Sequence, residues 1–315
     1  MIVSTTDELL PRHVQEIVEK TGEEPAVFAS IEEIPQEIAK QTEILLTYGN
    51  DLTCDNIRLF ENVKWIQLFS AGLEDLPLQD LHERQIRLTN AAGIHVRPMS
   101  EYVIMCMLHF EKDMHRYNAL KRQKVYDRTK LVGELPGREV LIYGTGVIGQ
   151  AVARSLSVFE TKVYGVNTSG RPVEPFLQTF RIGDELDRLQ TADYVISILP
   201  STPLTSGLFS PERLDLLKPD AVFISIGRGD VVDEHYVAEM LATGRLKGAA
   251  FDVFQQEPLP ESSPLWECDN LILTPHMSAK SIYYVDRCVE IFIENLLSYR
   301  KDKPMKNVVE TLRGY

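Results

Sequence analysis

The 315-residue chain is 44% hydrophobic and 25% charged, ordinary for a globular protein and long enough for two cores. Its formal charge of −13 and the lack of any basic run beyond Lys121 to Lys124, read as a solvated helix end, exclude a broad nucleic-acid or anionic-membrane surface. Four scattered cysteines (Cys54, Cys106, Cys268, Cys288) form no CxxC pair, so neither a disulfide framework nor a metal site is expected, and a reducing, cytoplasmic setting is.

The opening MIVSTTDELL lacks a basic region followed by an apolar run, so no signal peptide is expected. Next, PAVFAS, EILLTYG, VKWIQLFSAG and IRLTNAAG read as strands, with RHVQEIVEKTG and DNIRLFENV as helices between them. That alternation predicts a parallel sheet. The segment from Pro98 to Lys124 then reads as one long helix, with Pro98 suited to its first turn. Its most apolar part, YVIMCMLHF, is about half the length needed to span a bilayer. A second alternation begins at Glu139: EVLIYG, KVYGVN, ADYVISILP, AVFISIG, GAAFDVF and LILTP are six strand candidates. A helical pattern, IYYVDRCVEIFIENLLSYRK, follows. The helices starting near Pro98 and Ser281 bracket the second alternation, predicting one domain (98–284) inserted into another (1–97 with 285–315).

Gly144, Gly146 and Gly149 form a G-x-G-x-x-G pattern between the strand EVLIY and the helix VIGQAVARSL, the context of a dinucleotide fingerprint. Gly144 permits the tight turn, Gly146 the approach of a pyrophosphate, and Gly149 close packing of helix on strand. Thr145, Val147 and Ile148 complete the loop, whose helix N-terminus favours phosphate. An acidic residue at the end of the next strand would hold the ribose hydroxyls. Here that strand ends in Asn167, followed by Thr168, Ser169 and Arg171. An amide, two hydroxyls and a cation suit the 2′-phosphate of NADP better than a carboxylate would, so NADP is favoured over NAD.

Three further strand ends bear chemistry. FISIGRGDVVDE leads through Ile226 and Gly227 to Arg228; AAFDVFQQEPLP carries Asp252 and continues to Glu257; LILTPHMSA reaches His276. Ligands of open α/β sheets bind at the carboxyl ends of the strands, so a cation, carboxylates and an imidazole arriving there make a candidate site. His95 reads as a structural histidine at a helix entry, and the remaining histidines have no motif around them.

In order and spacing, GTGVIG, ISILPSTPLTSGLF, LLKPDAVFISIGRGDVVDE, GAAFDVFQQEPLP and LILTPHMSA resemble the D-isomer-specific 2-hydroxyacid dehydrogenase family, which includes glyoxylate/hydroxypyruvate reductases and phosphoglycerate dehydrogenases. Weaker matches extend upstream through FSAGLEDLP and NAAGIHVRPMSEYVI. The resemblance implies two doubly wound parallel-sheet domains, a Rossmann NAD(P)-binding domain inserted into a flavodoxin-like substrate domain. It implies reduction of a small 2-oxo acid to the D-2-hydroxy acid. His276 would be the general acid, and Glu257 would orient the imidazole and stabilise its protonated form. Arg228 would grip the 2-oxo acid with its charged fork, and the backbone of Ala71, Gly72 and Leu73 would take the substrate carboxylate. Asp252 would lie near the nicotinamide carboxamide, or cap a turn; Leu199, Pro200 and Thr205 would line the adenosine side. A homodimer formed through the cofactor domain is implied as well. Within the same fold, formate dehydrogenases pair the histidine with Gln, which Glu257 opposes. A short-form phosphoglycerate dehydrogenase and a nucleotide-sensing corepressor-like protein are the alternatives.

Overall fold

Short runs of buried aliphatic residues supply two separate sheets in the computed structural model, which describes residues 1–73 and 76–310. By backbone proximity the chain divides into Met1–Ile94 with the segment from Ser281 onward, and His95–Lys280.

The first unit begins with β1 (Ile2–Ser4), α1 (Pro11–Thr21), β2 (Ala26–Val27), α2 (Gln36–Gln41), β3 (Ile44–Thr47), β4 (Trp65–Leu68), α3 (Leu78–Glu83) and β5 (Arg87–Thr89). Its strands are all parallel, in the order β2-β1-β3-β4-β5. That is the flavodoxin-like order.

The second unit contains α4 (Val96–Glu111), α5 (Met114–Gln123), β6 (Glu139–Tyr143), α6 (Val147–Ser157), β7 (Lys162–Asn167), β8 (Thr179–Arg181), α7 (Leu186–Thr191), β9 (Tyr194–Ser197), α8 (Pro211–Leu214), β10 (Val222–Ser225), α9 (Glu234–Ala242), β11 (Gly248–Phe251) and β12 (Leu271–Leu273). Its sheet is again parallel throughout, ordered β12-β11-β10-β9-β6-β7-β8. The order reverses between β6 and β9, the switch point at which such sheets open a crevice.

Sheets covered on both faces need strands apolar on both faces. WIQL, YVIS, VFIS and GAAF are buried at every position. In β6, Leu141 and Tyr143 enter one core while Val140 and Ile142 enter the opposite one with α4 and α6. Each such side chain contributes about 1.5–3 kcal/mol through burial.

After the second unit the chain returns to the first as α10 (Tyr284–Arg300). Its Cys288, Val289, Phe292, Ile293 and Leu296 cover one face of the five-stranded sheet with Ile44, Leu46, Trp65 and Phe69. Phe292 stacks on Trp65 with ring centroids 5.5 Å apart. Buried Asn295 is satisfied by Gln67 and by the backbone of Lys306.

The structure departs from the sequence expectations at short elements and at one long one. β1, β8, α2 and α3 are each six residues or fewer, too short to show a period. DNIRLFENV forms only a 3-10 turn over Asn56–Leu59, because Ile57 and Phe60 are its only deeply buried anchors before Val63. The long helix starts two residues before Pro98 and breaks at Asp113, whose φ of +54° is left-handed. Before the break, Val103, Cys106, Met107 and Phe110 pack on the sheet; beyond it α5 buries nothing. A helix without an apolar face has no reason to continue along the same surface.

Candidate active site

At the end of β6 the chain turns sharply through Gly144, at φ +109°, and enters α6 with Gly146 as a cap that provides no side-chain hydrogen bond. The N–H groups of Val147 and Ile148 have no acceptor among the described residues. Space above this end is open: a Cβ on Gly146 would meet nothing within 4 Å, whereas one on Gly149 would lie 1.9 Å from the Gly144 carbonyl oxygen. Unpaired donors, a helix dipole and an unobstructed backbone together fit a pyrophosphate.

β7 delivers Asn167 beside this turn. Its Oδ1 accepts the N–H groups of Ser169 and Gly170, at 3.1 and 2.6 Å, and the Ser169 hydroxyl at 3.2 Å. Its Nδ2 donates to Thr145 Oγ1 and to the Arg171 carbonyl, both at 3.1 Å. A carboxylate could not make the two donations. Sequence reasoning treated Asn167 as a ligand; the structure adds that the amide folds the loop, leaving Thr168, Ser169 and Arg171 exposed.

After β9, Leu199 is buried and Pro200 exposed. The Thr205 hydroxyl donates to the Pro200 carbonyl at 2.5 Å and accepts Thr202 N–H at 2.9 Å. Buried Thr205 therefore fastens this turn from inside. After β10, Ile226 and Gly227 are buried and Arg228 emerges with its side chain exposed and Nη1 donating to the Gly227 carbonyl at 3.0 Å. Gly229 lies so close to the next loop that an added Cβ would be 1.9 Å from the Phe254 carbonyl carbon, which brings the Arg228 and Glu257 segments side by side.

His276 and Glu257 meet there. Imidazole Nδ1 and Glu257 Oε2 are 2.8 Å apart, and the other carboxylate oxygen accepts Phe254 N–H at 3.0 Å. His276 Nε2 has no partner among the described residues, and the side chain is half exposed. The His276 backbone has φ +53°, a left-handed conformation that costs a bulky residue of order 1–3 kcal/mol.

Asp252 holds it. The side chain is fully buried. Oδ1 accepts the Thr274 hydroxyl at 2.5 Å and Met277 N–H at 2.7 Å; Oδ2 accepts Ser278 N–H at 2.8 Å. The Asp252 carbonyl takes His276 N–H at 2.8 Å. Tyr102 of α4 joins through a 2.7 Å contact between its hydroxyl and that of Thr274, and burial drives the Tyr102 phenol far above its ordinary value. Tyr102 and Thr274 escaped sequence reasoning because their meeting depends wholly on how α4 packs on the sheet; no local spacing signals it. Asp252 thus caps the turn that bears His276, which was the second of its two expected roles.

In the first unit, the segment after β4 carries Ala71, Gly72 and Leu73. The Ala71 carbonyl is held by Asn90 at 3.1 Å and that of Gly72 by Ser70 at 3.2 Å. The N–H groups of Ala71, Gly72 and Leu73 have no acceptor among the described residues. Three free donors at a strand's carboxyl end suit a carboxylate. Glu74 and Asp75 of the FSAGLEDLP motif lie outside the described residues.

A parallel sheet with a glycine turn at its switch point, and an imidazole–carboxylate pair at its carboxyl edge, defines a nicotinamide-dinucleotide oxidoreductase. The model of the D-isomer specific 2-hydroxyacid dehydrogenase, NAD binding domain, matches residues 104–278. A glyoxylate reductase of Thermofilum pendens is 29% identical over 278 residues, 86% of this chain and 82% of the relative. A D-isomer specific 2-hydroxyacid dehydrogenase family protein from Aeromonas salmonicida superposes with a TM-score of 0.82 at 30% identity, covering 98% of both chains. The NADPH-dependent glyoxylate/hydroxypyruvate reductase from Sinorhizobium meliloti, solved with NADP and sulfate, gives 0.78 at 27% identity over 100% of this chain and 99% of that one. The chain belongs to the D-isomer-specific 2-hydroxyacid dehydrogenase family. It is an NAD(P)-dependent D-2-hydroxyacid dehydrogenase, an oxidoreductase with NAD or NADP as cofactor.

Proposed function

We propose that this enzyme reduces a small 2-oxo acid of the glyoxylate or hydroxypyruvate type to the D-2-hydroxy acid, and that NADPH is the preferred reductant. The observation that carries the chemistry is the 2.8 Å pairing of His276 Nδ1 with Glu257, with Nε2 left open at the edge of the sheet. A bound nicotinamide supplies the hydride. His276 Nε2 gives its proton to the carbonyl oxygen of the substrate, and Glu257 holds Nδ1 and so fixes which nitrogen faces the substrate. In the oxidative direction the same nitrogen accepts the proton. Arg228 grips the carboxylate and carbonyl oxygens with a permanently charged fork. The N–H groups of Ala71, Gly72 and Leu73, which have no acceptor among the described residues, take the carboxylate.

The cofactor reading assigns the pyrophosphate to Gly144, Thr145, Gly146, Val147, Ile148 and Gly149. Thr168, Ser169 and Arg171, on a loop folded by Asn167, receive the 2′-phosphate. Leu199 and Pro200 flank the adenosine, with Thr205 acting through the turn it fastens; Ile226 and Gly227 lie along the path towards the nicotinamide. Asp252 serves it indirectly, by holding the His276 turn. We further infer a homodimer through the second unit, supported by an open apolar surface of Ile104, Met105, Leu108 and Met114 on α4 and α5; sedimentation velocity checks it.

A matrix of initial rates tests the whole reading: NADH and NADPH against glyoxylate, hydroxypyruvate, pyruvate, 3-phosphohydroxypyruvate and bulkier 2-oxo acids. Highest kcat/KM is expected with NADPH and one of the first two acids. Preference for the phosphorylated acid identifies a phosphoglycerate dehydrogenase instead, and absence of turnover throughout overturns the proposal. His276→Ala is expected to lower kcat by about two or more orders of magnitude, the scale of general acid catalysis, with little change in cofactor affinity.

A further inference from the structure

The edge strand β8 carries Arg181 at its carboxyl end, outside every motif of the dinucleotide fingerprint. Sheet register pairs Arg181 with Asn167, and the Asn167 carbonyl accepts Ile182 N–H at 3.1 Å. Residues i and i+2 of a strand share a face, so Thr179 lies on the same side as Arg181. The Thr179 hydroxyl donates to the Arg171 carbonyl at 2.8 Å. The loop from Thr168 to Arg171 is therefore laid across the end of β8. Gly170, at φ +71°, makes the contact: a Cβ there would lie 3.2 Å from both the Cβ and the backbone nitrogen of Arg181. Asn167 anchors the same loop to Thr145 in the glycine turn.

Arg171 and Arg181 thus arise from adjoining backbone, and both side chains are exposed. Elsewhere in this unit Arg138, Arg188 and Arg213 are paired with Glu111, Glu139 and Glu185. Neither Arg171 nor Arg181 has a carboxylate partner among the described residues. Two uncompensated guanidiniums beside two hydroxyls form a dianion-binding surface on a chain of net charge −13.

We propose that Arg181 is a specificity-determining residue, the second cation of the 2′-phosphate site. It rises from the strand that packs against the Arg171 loop and makes that site a property of two strands. This rests on the NADP preference proposed above. One arginine binds two phosphate oxygens with its fork; a second can bind the remaining oxygen without displacing the first.

Calorimetric titration of the full chain with 5′-AMP and with adenosine 2′,5′-bisphosphate separates the 2′-phosphate contribution from the rest. The wild type is expected to bind the bisphosphate at least about tenfold more tightly, and Arg181→Ala to reduce that ratio about tenfold with AMP affinity unchanged. Arg181→Lys, which keeps the charge and loses the fork, should retain part of the ratio. Added salt should weaken bisphosphate binding less in Arg181→Ala than in the wild type. A wild-type preference left intact by Arg181→Ala overturns this inference and leaves the NADP reading standing. Equal loss of both ligands marks a folding role and also overturns it. If the wild type does not distinguish the ligands, both readings fall.

Discussion

Asp252→Asn changes one atom of a fully buried side chain and should disable a residue that it does not touch through its own side chain. The aspartate accepts three hydrogen bonds, from Thr274, Met277 and Ser278, at 2.5–2.8 Å. An amide offers only one acceptor oxygen. With its nitrogen in place of Oδ2, it confronts the Ser278 N–H; with its nitrogen in place of Oδ1, it confronts Met277 N–H, while Thr274 can rotate its hydroxyl to accept. Either way one hydrogen bond to a charged group is lost and two donors are opposed. A loss of about 2 kcal/mol follows from the usual worth of such bonds. The turn so weakened holds His276 at φ +53°, a conformation that relaxes once its restraints go. If the loss is felt wholly in the transition state, kcat falls roughly thirtyfold. If it is felt in the folded state, Tm falls by about 4–8 °C. Initial rates with saturating NADPH, measured beside a calorimetric melt, divide the effect between the two. A variant with kcat within twofold of the wild type and an unchanged melt would show that Asp252 does not support the histidine.

Two other outcomes follow from the geometry. Gly149→Ala should cost at least about 1–3 kcal/mol by overpacking and abolish measurable dinucleotide binding, since its Cβ would sit 1.9 Å from the Gly144 oxygen; tight binding by a folded variant, followed by fluorescence quenching, would refute the close packing of helix and turn. Burial depresses the proton affinity of His95 and His109, the latter also because of nearby His115. An unfolded chain therefore binds more protons than the folded one below the ordinary histidine value of 6.5, so their contribution is complete above that pH and is lost as pH falls below it. Tm should drop on acidification through this window, and His109→Gln should flatten the drop.

How much of this was readable in the sequence depends on the range over which each signal acts. The glycine turn was legible because strand, turn and helix lie within a dozen residues and each glycine has a steric reason. Arg228, Glu257 and His276 were singled out through motif context; Arg228 and His276 follow closely on their strands, Glu257 lies in the loop beyond β11, and the structure brings His276 to Glu257. Asn167 was noticed as a missing carboxylate, yet its four hydrogen bonds within the loop and the fifth to Thr145 depend on coordinates that spacing cannot supply. Tyr102 and Arg181 gave no signal: each acts on residues brought near by packing or sheet register. β1 and β8 went unread because Ile2–Ser4 and Thr179–Arg181 sit in no sustained apolar run, unlike the equally short β5 and β12, although pairing makes each an integral strand.

The return of the chain as α10 also imposes an order on its synthesis. A ribosome releases His95–Lys280 as one uninterrupted stretch, able to close both faces of its sheet without waiting for later sequence. The N-terminal strands have no such independence. The surface around Ile44, Trp65 and Phe69 is covered in part by Leu9 and Ile17, and its cover is completed when Val289, Phe292 and Leu296 emerge, after the whole intervening unit. Until then part of an aromatic-rich face is exposed on the nascent chain. Chaperone binding during translation should therefore concentrate on Met1–Ile94 until α10 has been made.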